Sequence, residues 1–244
     1  MAPRSRWRSW ISEQSRQGLG HPHEVLGVHV PDKLYSLGEE IAHASTHGLG
    51  VVLSIVGLTV LVARASLYGD AWHITAVSIF GATLVLMYTA STLYHSIPLP
   101  RTKRVLRVID HSLIYFLIAG TYTPFTLVTL HGPWGWSLFG VTWGLAIAGV
   151  GFKILATGKF EKLSLAIYLG MGWCAIAAVK PLLQNLETGG LILMLAGGLV
   201  YSGGVAFYVW EKLRYHHAIW HLFVLAGSIL HFFAVLFYVV PGPQ

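Results

Sequence analysis

The chain has 244 residues, of which 55% are hydrophobic and only 11% are charged. A soluble domain usually carries about 25% charged residues, so this chain lacks the charge to cover a water-facing surface, and lipid is its natural solvent. The formal charge of +6 does not indicate nucleic acid, because the basic residues lie in short stretches between apolar runs. The single cysteine, Cys174, excludes an internal disulfide and a thiolate-rich metal site.

Residues 1–38 read as a basic cytoplasmic N-terminal arm, with Arg4, Arg6, Arg8 and Arg16 among Trp, Ser, Gln and Gly. No apolar stretch of signal-peptide type follows these arginines, and Trp7, Trp10 and Ile11 suit contact with anionic lipid. Residues 39–244 read as one membrane domain. Apolar runs recur near 43–63, 71–95, 108–130, 134–154, 163–183, 189–210 and 216–240, each long enough for a membrane helix. Short connections such as Tyr68-Gly69-Asp70 and His131-Gly132-Pro133 carry turn residues. The pattern predicts an all-α fold, an integral membrane bundle of seven transmembrane helices.

Within the runs, Gly140 and Gly144, and likewise Gly198 and Ser202, are spaced four apart and suggest close helix packing. Pro124 is expected to kink the third span, with Thr121 and Thr123 helping to satisfy the released carbonyls. Cys174 reads as a small buried apolar residue.

The basic residues predict orientation. Fourteen of the sixteen Lys and Arg fall in the N-terminal arm or in the connections after the second, fourth and sixth spans. Only Arg64 and Lys180 lie on the opposite side. The asymmetry predicts a cytoplasmic N-terminus and an exterior C-terminus, in the inner (plasma) membrane.

Ionisable groups in membrane helices cost roughly 2.5–3.5 kcal/mol each at the centre, and several gather here at the same depth. Glu40, His43 and His47 start the first span, Ser91 and His95 end the second, Asp110 and His111 start the third, and His216, His217 and His221 start the seventh. His217 and His221 are four apart on one helix face, a spacing that brings two nitrogens to one metal. With a third histidine and no thiolate, such a set is the open type of zinc site, and Asp110 suits a supporting role or a base. Bland alternatives exist. His43 and His47 form a rival pair with the same spacing, Asp110 has Arg107 to pair with, and Ser91 has the carbonyl of residue 87 within a turn.

At these residues the chain resembles the bacterial hemolysin III branch of the progestin and adipoQ receptor family. The matching segments are Glu39-Glu40-Ile41-Ala42-His43-Ala44-Ser45-Thr46-His47-Gly48, Ser91-Thr92-Leu93-Tyr94-His95-Ser96, Asp110-His111 with Ala119-Gly120-Thr121-Tyr122-Thr123-Pro124, and His217-Ala218-Ile219-Trp220-His221-Leu222-Phe223. The resemblance implies a seven-helix bundle with zinc held by His95, His217 and His221, and with Ser91 and Asp110 beside the metal. His43 departs from the pattern, since this branch usually carries asparagine there. Alkaline ceramidases, which resemble the family, imply zinc-dependent hydrolysis of a lipid amide, with a ceramide-like membrane lipid as substrate. In that expectation zinc activates water and polarises the amide carbonyl, Asp110 takes the proton, and Ser91 helps stabilise the oxyanion. Two other readings stand beside it: a membrane-perturbing or pore-forming hemolysin, and a sensor or receptor of membrane state with structural zinc.

Overall fold

A computed structural model describes residues 35–155 and 160–242. The basic arm up to Leu34, and with it the expected lipid contacts of Trp7, Trp10 and Ile11, lies outside the described residues. Among the described residues there is no strand, and seven helices are long and apolar enough to cross a membrane. They run Leu37–Tyr68, Ala71–Ser96, Pro100–Thr129, Pro133–Leu155, Glu161–Asn185, Thr188–Val209 and His216–Tyr238, and are called the first to seventh spans.

Two helices begin ahead of their apolar runs, where the local chemistry favours a helix start. The first starts at Leu37, ahead of the expected 43, because Ser36 and Glu39 form a capping box. The Glu39 N–H donates to Ser36 Oγ at 3.3 Å, and the Ser36 N–H donates to Glu39 Oε2 at 2.9 Å. The third starts at Pro100, ahead of the expected 108, with proline in its favoured first-turn position. Arg101, Lys103, Arg104 and Arg107 are therefore helical, although they are not apolar. At the opposite end, Asp70 caps the second span by accepting the Trp72 and His73 N–H groups. The hydrogen bonds from the His73 backbone and then its ring hold the Asp70 carboxyl below the usual carboxylate range.

Two spans are not continuous α-helices. After Pro124 the third span winds as a π-turn over Phe125–Thr129. Pro124 lacks the N–H that the Gly120 carbonyl would accept. Contrary to expectation, Thr121 and Thr123 do not turn to that carbonyl; their hydroxyls donate to Leu117 O and Ala119 O at 2.8 and 2.9 Å. The fifth span breaks into Glu161–Gly172, a 3₁₀ stretch Cys174–Ala178 and a short helix Val179–Asn185. Gly170, Gly172 and Pro181 explain the break, since both residue types disfavour a helix interior. Cys174 is only partly buried in that stretch, and its thiol points back to Gly170 O at 3.4 Å.

Each of the first four spans packs on the next, the sixth packs on the seventh, and the seventh returns to the first. The second, third and seventh spans are the most buried. Phe80, Leu84, Met87, Tyr88, Leu117, Val224 and Val235 form the core between them. The outer spans turn Leu53, Val56, Ile147 and Leu199 outward, where lipid solvates them. The expected small-residue surfaces are mostly elsewhere. A Cβ added at Gly140, Gly144 or Gly198 would meet nothing within 4 Å, whereas one at Gly50 would come within 2.5 Å of the Tyr88 ring and one at Gly120 would strike Thr83. Four-residue spacing places two glycines on one face without saying which way that face turns. Ser202 does bridge helices, accepting the Trp173 indole N–H at 3.0 Å.

The basic end of the bundle is pinned by carboxylates. Glu161 faces Lys153 at 3.1 Å and Arg107 at 3.5 Å, tying the third, fourth and fifth spans. Glu39 accepts the Tyr215 N–H at 3.4 Å, which fixes the approach to the seventh.

Candidate metal centre

Alternating spans bring the start of the first, third and seventh helices and the end of the second to the same basic end. Five histidines meet there. Ring centres of His95, His217 and His221 lie 4.6 to 5.3 Å apart. One nitrogen from each lies within 4.8 Å of the others, so this trio has donors placed to hold a metal ion. A second trio, Glu40, His43 and His95, overlaps it through His95. His47 stacks on His221 with ring centres 3.5 Å apart and turns its edge to Tyr88.

Hydrogen bonds determine which nitrogen each ring offers. The His95 Nδ1–H donates to Glu40 Oε2 at 2.7 Å, which leaves Nε2 as the lone-pair nitrogen. Glu40 is itself fixed by Lys103, whose Nζ donates to Oε1 at 2.7 Å and to Tyr94 O at 3.1 Å. The His221 Nδ1 faces the His43 carbonyl at 3.3 Å and Thr46 Oγ1 at 3.2 Å. A carbonyl only accepts, so His221 donates from Nδ1 and also presents Nε2. The ring of Tyr35 packs over His43, His95 and His217 from the basic end.

These residues fit a metal by their unmet needs. His95 Nε2, His217 Nδ1 and both nitrogens of His43 and His47 are buried without a hydrogen-bond partner, a costly state unless something else satisfies them. Histidines outside the cluster differ. His111 and His231 each donate from Nδ1 to a carbonyl four residues earlier on their own helix, His131 does the same from the turn after the third span, and His216 donates to Phe207 O.

Ser91 and Asp110 are both buried and stand near each other on the second and third spans. Neither belongs to a donor trio. The Asp110 carboxylate also lies 3.4 Å from His111 Nδ1. The sequence reading gave no role to Glu40, Lys103 or Thr46. Glu40 carried a usable signal, because Glu40, His43 and His47 follow i, i+3, i+7 spacing and so share one helix face.

The Haemolysin-III related family profile matches residues 35–232, which include every residue of this centre. The chain belongs to the haemolysin III family. Its haemolysin III relatives include Hemolysin-3 of Bacillus cereus, 52% identical over 203 residues, which are 83% of this chain and 93% of that protein. The Hemolysin-3 homolog of Bacillus subtilis (strain 168) is 51% identical over 210 residues, 86% of this chain and 99% of the relative. More distantly, the monocyte to macrophage differentiation factor of Homo sapiens is 30% identical over 211 residues, 84% and 86% of the two chains. That likeness fits haemolysin III as a branch of the progestin and adipoQ receptor family.

Proposed function

We propose that this haemolysin III protein holds one zinc ion through His95, His217 and His221 and uses it to hydrolyse an amide bond in a membrane lipid. The observation that carries the zinc site is three buried or half-buried imidazoles with one nitrogen each within 4.8 Å of the others, beside which His95 Nε2 and His217 Nδ1 are buried without a hydrogen-bond partner. Nitrogen ligands without thiolate suit zinc and leave a position for water or substrate. Hydrolysis is supported by the resemblance to alkaline ceramidases and by the buried Ser91–Asp110 pair on neighbouring helices. Bound there, zinc supplies Lewis acidity to water and to the amide carbonyl.

The chain's own residues supply the rest. Glu40, anchored by Lys103, holds the His95 ring with Nε2 facing the other histidines. The His43 carbonyl and Thr46 do the same for His221. Asp110 is the proton acceptor in this proposal, and the nearby Ser91 hydroxyl serves the developing oxyanion. A lipid reaches the centre laterally between helices, and the basic asymmetry puts the centre at the cytoplasmic face of the inner membrane. The test is metal content of protein purified in detergent without added metal, followed by release of free fatty acid from a panel of ceramides. About one zinc per chain and turnover of at least one ceramide are expected; zinc near zero, with no uptake on incubation, overturns the proposal.

One observation favours a second reading, a sensor or receptor with structural zinc. Asp110 is a member of neither donor trio. That reading predicts zinc without turnover. The name of the Bacillus cereus relative, Hemolysin-3, carries the lytic reading. It predicts dye leakage from liposomes containing the protein.

A further inference from the structure

His43 is the residue that the three-histidine site leaves unexplained. Its side chain is fully buried, and neither ring nitrogen has a hydrogen-bond partner. Its Nδ1 stands 3.8 Å from Glu40 Oε2, beyond hydrogen-bond reach. Its ring centre lies 4.6 Å from His95, 4.9 Å from His217 and 5.5 Å from His221. The other three pairs lie at 5.3, 5.2 and 4.6 Å. Four points with six nearly equal separations are the corners of a tetrahedron. With zinc–nitrogen bonds of about 2.0–2.1 Å, four imidazoles around one tetrahedral ion have ring centres about 5 Å apart.

We propose that His43 is a fourth imidazole ligand, so that the centre at rest is a closed four-histidine site and any water or substrate must displace His43 to reach the metal. His43 groups with Glu40 and His95 by its nitrogens, and a half-turn of the ring about Cβ–Cγ leaves its centre in place while exchanging nitrogen for carbon positions. The alternative, a second cation held by Glu40, His43 and His95, meets an occupied carboxylate. Glu40 Oε1 already carries the Lys103 ammonium at 2.7 Å, and Oε2 accepts from His95 at 2.7 Å. A divalent cation there would face the lysine charge at close range. His47 is excluded from the tetrahedron by its position, stacked flat against His221.

The inference rests on the three-histidine zinc site but not on hydrolysis. It is tested on the full chain in detergent, by X-ray absorption at the zinc edge and by the visible spectrum of the cobalt-substituted protein with and without azide. Wild type is expected to show one zinc with four imidazoles and a cobalt spectrum that azide does not shift. His43→Asn is expected to show three imidazoles, a cobalt spectrum that azide does shift, and zinc affinity lower by about 10–100-fold. His47→Asn is the control and should match wild type. Three imidazoles and an azide-sensitive spectrum in wild type overturn the proposal while leaving the three-histidine site intact. Two zinc ions per chain overturn it in favour of the Glu40 site, and no zinc at all overturns the three-histidine reading as well. Because the wild-type spectra decide the matter alone, a His43→Asn chain that fails to fold does not block the test.

Discussion

Glu40 decides which nitrogen of His95 faces the other histidines, and it does so as a charged acceptor pinned by Lys103. Glu40→Gln keeps the shape and an acceptor oxygen but removes the charge that both partners use. Zinc affinity is expected to fall about 10–100-fold, measured by competition with a chelator, while helix content by circular dichroism is unchanged. Affinity equal to wild type would show that Glu40 serves Lys103 alone. Asp110 is tested through rate instead of metal. Asp110→Asn preserves the shape and polarity of the side chain but takes no proton, so the variant should keep its zinc and lose roughly 10²–10⁴-fold in ceramide turnover. Retention of both zinc and full turnover removes Asp110 from the chemistry. His221→Ala, by contrast, should lose zinc and thermal stability together, since it removes a proposed metal ligand and leaves the remaining buried imidazoles without their shared partner inside a membrane protein. Much of this centre was legible in the sequence: His95, His217 and His221 were chosen by spacing and resemblance, and they lie together. Glu40 and Thr46 were not chosen because their roles depend on contacts between spans far apart in the chain, which spacing along one helix does not report.

At the scale of the helices, composition revealed that spans exist but not which face of each span touches its neighbours. Gly140 and Gly144 suggested a packing seam, yet the close approaches are at Gly50 against Tyr88 and Gly120 against Thr83. The difference is measurable. Gly120→Ala pushes a methyl group into Thr83 and should destabilise by about 1–3 kcal/mol. Gly140→Ala meets nothing within 4 Å and gains helix propensity, so it should be neutral or slightly stabilising. Unfolding in sodium dodecyl sulfate compares the two, and equal midpoints would count against the packing described. Pro124 was a legible irregularity, but its outcome was not. A proline says which carbonyl loses its partner, whereas the choice of a π-turn over Phe125–Thr129 belongs to how the third span packs against the second and fourth. The fifth span shows the same limit, because its apolar run continues unbroken through the 3₁₀ stretch at Cys174–Ala178.

The whole bundle follows from an economy of charge: seven apolar helices, with most basic residues at one end. Reporter fusions after residue 35 and after residue 242 should read cytoplasm and exterior respectively. Both ends on the same side would contradict seven crossings. The helices themselves were legible because hydrophobic length is a direct requirement of the bilayer, while the closing contact between the first and seventh spans was not, since no local pattern encodes it. That contact has a consequence in time. Thr46 and His221 meet although 175 residues separate them, so the donor set joins the first of the seven spans to the last. An ion bound there works as a clasp on the ring of helices, shutting a loop whose entropic cost has already been met by insertion. A chain arrested before its seventh span owns His43, His47 and His95 but lacks His217 and His221, so under the zinc proposal metal retention reports that the seventh span has joined the first.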